Sequence, residues 1–424
     1  MSTGTTDTAR EDLAAAAGAD NLREATDRDL VGDVRPRWIA HVDGTERAAA
    51  VMRAAAAHQL TVVPRGAGTK TTWANPPQSA DLVLDMSRAN AVLEHAAGDL
   101  VLRAQAGTPI SEIQRVVRAA GQQLAIDQPL PGATVGGVIA ANTSGPGRHL
   151  FGGVRDLLIG ITVVRADGTT TTAGGKVVKN VAGYDLGKIY TGSCGTLGVI
   201  TEAIFRLHPL AEDHRWITLT APDATTADRA ATLIRTSQQM PTAIELDRPV
   251  ADGPITVSAQ LEGRASVTEN RARELAEHIA QHTGTTPETT GEAPGWWGQY
   301  PFDPVAGTGL RLGCAPARLS TMLEGAQRAA QKTGVPLALR GAAGWAVLHA
   351  SLPADTDAAT AAELVTALRG SADYVALVCG PQEVRAAVDP SGAIDSGALT
   401  LMRRVKDQFD PEHRLAPGRF VGGI

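Results

Sequence analysis

The residues best suited to chemistry in this sequence begin at a short loop, Pro64-Arg65-Gly66-Ala67-Gly68-Thr69-Lys70, that follows the apolar pair Val62-Val63. Glycine turns sharply and carries no Cβ, so such a loop can lay several backbone N–H groups around one anion. A second stretch of the same character runs Pro131-Gly132-Ala133-Thr134-Val135-Gly136-Gly137 and continues through Asn142-Thr143-Ser144-Gly145-Pro146-Gly147. Thr134 stands where a helix cap belongs, and a helix start adds a dipole favourable to an anion. Two such cradles suit a pyrophosphate, which carries two charges and can be gripped from both sides. Each loop taken singly reads equally well as a tight turn. Glycine makes up 45 of the 424 residues, so a lone Gly-x-Gly decides nothing and the surrounding pattern must decide.

The commoner nucleotide loops are disfavoured. A dinucleotide fingerprint needs a third glycine and a helix after the turn, whereas Gly68 is followed by Thr69-Lys70-Thr71-Thr72-Trp73-Ala74-Asn75-Pro76-Pro77. A triphosphatase loop needs Gly-Lys-Ser/Thr, but Gly175-Lys176 is followed by Val177 and Gly187-Lys188 by Ile189.

The elements that hold these loops follow from periodicity. Ala48, Val51, Met52, Ala55 and Ala56 recur at helical spacing behind Asp43, which is placed to cap them. That helix leads to a strand at 61–63, the first loop and a strand at 82–85, a βαβ-like unit. A second unit holds a strand at 100–105, a helix with Pro109 in its first turn, the small-residue helix after Thr134, a hairpin over 158–173 turning at Asp167-Gly168, and a strand at 200–207. Beyond Pro209 the composition shifts. Strands at 216–220, 255–260, 309–314, 345–352 and 374–378 then alternate with helices, as in a separate α+β domain. A final helix over 399–409 ends at Asp410-Pro411. Residues 1–35 read as a mobile tail with one Ala-rich helix near 11–17.

Composition bounds the function. A net charge of −6 argues against a nucleic-acid surface. No apolar run reaches membrane-spanning length, and the polar, Thr-rich start lacks a signal pattern. Cys194, Cys314 and Cys379 are far apart, with neither disulfide nor metal spacing. A cytoplasmic setting is the expectation, with no metal and no iron–sulfur cluster held by this chain.

Pro64-Arg65-Gly66-Ala67-Gly68-Thr69, Pro131 to Gly137, Asn180-Val181-Ala182-Gly183-Tyr184-Asp185-Leu186, Gly192-Ser193-Cys194-Gly195-Thr196-Leu197-Gly198-Val199-Ile200-Thr201, and Phe409-Asp410-Pro411 with Pro417-Gly418-Arg419 occur in order. Together they resemble the vanillyl-alcohol-oxidase-type (PCMH) FAD-binding flavoproteins, and within them the FAD-binding subunits of the glycolate oxidase type. The resemblance is strong over about 36–210 and the last twenty residues and weak between them. It implies an α+β fold divided into a tail (1–35), FAD subdomains (36–90 and 91–210), a cap (211–395) and a C-terminal segment (396–424) returning to the FAD domain. It implies FAD contacts from Pro64, Arg65, Gly66, Ala67, Gly68, Thr69, Thr134, Gly136, Gly137, Asn142, Ser144, Gly145, Val199 and Ile200. Members with covalent flavin often carry histidine where Thr69 stands, so the implied FAD is non-covalent.

The implied reaction is oxidation of a small 2-hydroxy acid, with electrons passed to a partner. A catalytic flavoprotein paralogue and an iron–sulfur subunit are the implied partners, any membrane contact being through them. The chemistry needs a cation for the carboxylate and a proton acceptor for the hydroxyl. His349 is a candidate acceptor, and Arg311 or Arg340 a candidate carboxylate holder. The alternative is a satisfied strand histidine and solvated arginines. Related catalytic subunits carry a His-x-Gly-Asp-Gly-Asn-x-His-like segment where this chain has Arg340-Gly341-Ala342-Ala343-Gly344-Trp345-Ala346-Val347-Leu348-His349. The other reading is therefore a non-catalytic flavin-binding subunit that supports a catalytic paralogue. Cys194 reads as a small buried group, Trp296-Trp297 as packing, and Arg419 as an exposed tail residue.

Overall fold

The computed structural model describes residues 3–177, 183–392 and 394–424. The apolar runs Trp38–His41, Val62–Arg65 and Leu82–Asp85 form a parallel sheet with Leu82–Asp85 at its centre. Helix Thr45–Ala57 makes the crossover and buries Ala48, Val51, Met52 and Ala55. Its cap differs from expectation: Gly44 is the N-cap with no side-chain bond, and the Asp43 carboxylate lies 3.4 Å from Arg47 instead.

The N-terminal segment is not a loose tail. Helix Thr3–Ala17 places Ala9, Leu13 and Ala17, four residues apart on one face, in the same core as Val51 and Met52. Leu22–Glu24 then adds an antiparallel edge strand beside Trp38–Ala40.

The second layer is an antiparallel sheet in the order Val92–Ala96, Val101–Gln105, Val199–Arg206, Leu158–Val164, Thr170–Gly174. Its core is shared with helices Ile110–Arg118 and Val135–Ala141.

Among the described residues the third layer is an eight-stranded antiparallel sheet. It includes two central strands that the sequence pattern did not announce, Ala243–Arg248 and Ala338–Ala342. Side chains alternate across a strand. Ile244, Leu246, Leu310, Leu312, Leu339, Leu348 and Ala350 therefore enter a core shared with helices Ala224–Thr236, Ala265–Thr283, Leu319–Thr333 and Ala358–Arg369. The opposite face carries Glu245, Asp247, Arg340, His349 and Arg311. Register aligns Asp247, Arg340, His349 and Arg311 in one row across adjacent strands. This polar face meets the first two layers: Trp73 Nε1 donates to Pro304 O (3.1 Å), Ala74 N–H to Val378 O (3.3 Å) and Leu150 N–H to Thr242 O (3.2 Å).

Helix Ser396–Phe409 returns the chain to the first layers. Val62 N–H donates to Arg414 O (2.8 Å) and Ala416 N–H to Val62 O (2.9 Å), so the tail pairs directly beside the strand that feeds the first glycine loop. The anchor is Lys406, fully buried, whose ammonium donates to Asp410 Oδ2 (2.7 Å), Thr196 O (2.8 Å) and Leu415 O (2.9 Å). Removing one member of a buried ion pair strands the other without solvent. Lys406→Ala should accordingly lower unfolding free energy by about 3–5 kcal/mol in chemical denaturation, against ~1 kcal/mol for a surface pair. A loss no larger than a surface pair's would mean that this ammonium does not hold the tail.

Candidate active site

The glycine loops converge. A Cβ on Gly66 would lie 2.1 Å from Thr134 Oγ1, so the first loop meets the start of helix Val135–Ala141 only because the residue is glycine. At the other end of that helix, Gly192 N–H donates to Ile139 O and Cys194 N–H to Ala140 O, both at 2.9 Å. Pro64 packs against the third loop, 3.4 Å from where a Gly195 Cβ would stand.

Among the described residues, the backbone N–H groups from Gly66 through Lys70 donate to nothing, and neither do those of Gly137, Ser144 and Gly145. Gly136 is used differently: its N–H is taken by Ala106 O at 2.8 Å. Thr134 is the N-cap residue, yet its hydroxyl makes no cap bond. Four buried side-chain atoms in or beside these loops, Lys70 Nζ, Thr134 Oγ1, Thr143 Oγ1 and Ser193 Oγ, have no partner. Each unsatisfied buried polar group costs about 1–3 kcal/mol. A concentration of orphaned donors, with a buried ammonium pushed down to about 8 by desolvation, fits a ligand rich in anionic acceptors.

Arg65 contributes backbone alone. Its guanidinium is engaged with Asp85 (2.8 and 3.0 Å) and Asp29 (3.3 Å), and Arg23 also binds Asp29 at 2.7 Å. Val199 and Ile200 are paired to Val164 and Val163, while pairing on the other side begins only at Glu202. Residues 178–182, with Asn180, Val181 and Ala182 of the third motif, lie outside the described residues.

A cavity of about 330 Å³ opens beside this cradle, between the polar face of the large sheet and the loop that carries Asn142, Ser144 and Gly145. His349, Arg311 and Arg340 all line it, and so do Arg148 and Glu245, which the sequence reading passed over. Their environments differ. Arg340 donates through Nε to Asp247 at 2.7 Å, so its charge is matched. Arg311 and Arg148 make no ion pair among the described residues. They lie over aromatic rings instead, Arg311 over Tyr374 (6.0 Å) and Arg148 over Trp345 (5.7 Å). Burial, and then the Arg311 charge, lower the Arg148 pKa. Two unmatched guanidiniums, one on each wall, make a site for a carboxylate.

His349 is boxed by Tyr300 (4.8 Å between ring centroids) and Phe302 (6.1 Å). Burial first, then Arg311, push it down to about 3, so it is neutral near pH 7 and a weak proton acceptor. Arg419 is not an exposed tail residue: it is 7% exposed and donates to Thr71 O (3.2 Å) and Trp73 O (3.0 Å) at the cavity rim. Cys194 lines the cavity with a left-handed backbone (φ 55°), and burial pushes its thiol up. Trp296 lies against Arg340 (5.9 Å) and Trp297 meets Trp216 edge-on (6.2 Å). Among the described residues no His, Cys, Asp and Glu group could hold a metal ion, and no helix is long and apolar enough to cross a membrane.

Residues 36–174 match the family model for the FAD binding domain. The chain is 30% identical over 250 residues to glycolate oxidase subunit GlcD of Bacillus subtilis strain 168, covering 57% of this chain and 53% of that protein. It is 35% identical over 150 residues to glycolate oxidase subunit GlcE of Escherichia coli K12, covering 35% and 42%. With a D-2-hydroxyglutarate dehydrogenase of Xanthomonas citri pv. viticola it shares 34% over 173 residues, covering 41% and 37%. The chain thus spans about half the length of the curated relatives it matches. In three dimensions it superposes on p-cresol methylhydroxylase with a TM-score of 0.76 at 14% identity, covering 99% of this chain and 97% of that one. An alkyldihydroxyacetonephosphate synthase gives 0.73 at 19%, covering 99% and 86%. The fold is the PCMH-type FAD-binding fold, and the cofactor is FAD.

Lys70 supplies a test of that cradle. Its ammonium must be charged to help hold a pyrophosphate, so apoprotein affinity for FAD should fall as pH rises past about 8. Lys70→Met should weaken FAD binding by about 1.5–3 kcal/mol and flatten this dependence. Fluorescence titration of apoprotein across pH 6–10 reads both effects, and a Lys70→Met protein with the original pH dependence would rule the ammonium out.

Proposed function

We propose that this chain is an FAD-dependent oxidoreductase acting on small 2-hydroxy acids. The observation that carries the reading is the pair of unmatched guanidiniums, Arg148 and Arg311, on the walls of a cavity beside the FAD cradle. They hold a substrate carboxylate between the sheet and the short helix Arg148–Phe151. Arg340, already matched by Asp247, orders the sheet face instead. FAD, when bound, supplies a two-electron acceptor beside the substrate carbon. Trp73, Tyr300 and Phe302 form an aromatic edge that keeps water from that carbon. The relatives' names, glycolate oxidase subunits and a D-2-hydroxyglutarate dehydrogenase, support the substrate class.

The finer reading follows the same lines. The chain corresponds to a subunit of the E type, with FAD held non-covalently because Thr69 offers no imidazole. In this reading it passes electrons to a partner. Subdomains at 36–90 and 91–210, a cap at 211–395 and a returning segment at 396–424 belong to this proposal. So does a cytoplasmic location, with any membrane contact made through the partner. A second reading, a non-catalytic subunit supporting a catalytic paralogue, is favoured by the low basicity of His349.

Acid denaturation should release the flavin, and glycolate or D-lactate should bleach it anaerobically in the isolated chain. Bleaching only after a partner is added would favour the second reading. A colourless protein that FAD cannot reconstitute would end both. Arg311→Met should weaken binding of oxalate, an unreactive dianion, by about 1.5–3 kcal/mol, roughly 10- to 100-fold. Arg340→Met should act mainly on stability, because it leaves Asp247 buried and unpaired. Calorimetry of both variants separates the two roles.

A further inference from the structure

His349 lines the same cavity but is only a weak acceptor for the proton of the substrate hydroxyl, and the large sheet offers another. Glu245 sits on the unannounced strand Ala243–Arg248 and is 5% exposed. Its Oε1 has no hydrogen-bond partner, and its side chain lines the cavity that Arg148 and Arg311 line. Its neighbours in register are Ala342 on one side and Ser258 on the other, and the Ser258 hydroxyl is paired with Thr218 (2.8 Å) rather than with the carboxyl. Two residues along the same strand, Asp247 already occupies Arg340. Among the described residues Glu245 is a buried carboxyl held open toward a ligand.

We propose that Glu245 is the catalytic residue that takes the hydroxyl proton of the 2-hydroxy acid. This rests on the oxidoreductase reading above. The O–H bond breaks and its proton passes to a Glu245 carboxylate oxygen while the C2–O bond gains its second bond. The hydrogen leaving C2 departs with its electron pair to oxidised flavin, the acceptor that reading supplies. The product is a 2-oxo acid, its carboxylate still between the arginines.

Burial, and then the Asp127 carboxylate, hold the Glu245 carboxyl well above the usual carboxylate range. The charged and titratable groups around it are Asp127, which accepts from Gly147 N–H (2.6 Å), Arg148 on the short helix, Arg311 and His349 on the cavity lining, and Asp247 with Arg340 in the adjacent row. An acceptor must be ionised, so the rate of flavin reduction should rise with pH through this raised pKa.

The test is anaerobic stopped-flow reduction of the FAD-loaded chain by glycolate or D-lactate from pH 5 to 9, with Glu245→Gln beside the wild type. Glu245→Gln should lose about 10²- to 10⁴-fold in reduction rate and lose the rising pH limb. It should keep its flavin content and its binding of oxalate, read as a shift of the flavin absorption band. Oxalate affinity in the wild type should fall as Glu245 ionises, a pH dependence that Glu245→Gln abolishes without any turnover. Wild-type rates in Glu245→Gln, or a rate that falls as pH rises, overturn the proposal alone. A flavin-loaded wild type that no 2-hydroxy acid bleaches overturns the oxidoreductase reading and the proposal with it. Should Glu245→Gln fail to take up FAD, Glu245→Asp, which keeps the acid but shortens its reach, should bleach slowly with the pH limb intact. A Glu245→Asp limb that vanishes overturns the proposal.

Discussion

A single ammonium fully out of water ties this molecule together. Lys406 reaches a carboxylate four residues along its own helix, a carbonyl of the Gly192–Thr196 loop, and a carbonyl of the tail that pairs with Val62. Burial of a charge is tolerated only where its hydrogen bonds are complete, and here three oxygens complete them. The cost of leaving any of them unmet makes the arrangement nearly all-or-none. The third glycine loop, the strand Val62–Arg65 and the last helix are therefore held in mutual register by one side chain.

The other buried charges divide by whether they are matched. Arg65 and Arg340 are matched by Asp85 and Asp247, and they stiffen the strands and loops that carry them. Among the described residues Lys70, Arg148, Arg311 and Glu245 are unmatched, and all four lie at the cradle or the cavity. Proteins rarely leave buried charge or donors idle. The contrast between the two sets locates the chemistry more sharply than residue type does, because arginine appears in both.

Much of the cradle could be read from the sequence, because glycine and proline mark backbone geometry locally. The loops at 66–69, 136–145 and 192–198 lie together at the cradle, and Thr69, Gly137, Ser144 and Gly145 present free N–H groups, Thr69 among those from Gly66 to Lys70. The large sheet was less legible for a physical reason. Its central strands Ala243–Arg248 and Ala338–Ala342 turn charged residues toward a cavity, and the alternation Ile244-Glu245-Leu246-Asp247 resembles a solvent-facing pattern. Periodicity says that a face is polar, not whether water or a ligand lies against it. For the same reason Arg419 read as exposed, and Ala9, Leu13 and Ala17 were left in a tail because short alanine-rich helices are marginal until something packs on them.

The brace from the tail also sets an order of events. Arg419 supports the carbonyls of Thr71 and Trp73 across 348 and 346 positions of sequence. During synthesis the first glycine loop emerges long before the residues that steady it, and through that interval its N–H groups face water rather than a fixed frame. The rim of the cradle is complete only once the tail has docked. Contacts this distant close slowly. Until the tail docks, the strand at Val62 offers an unpaired edge.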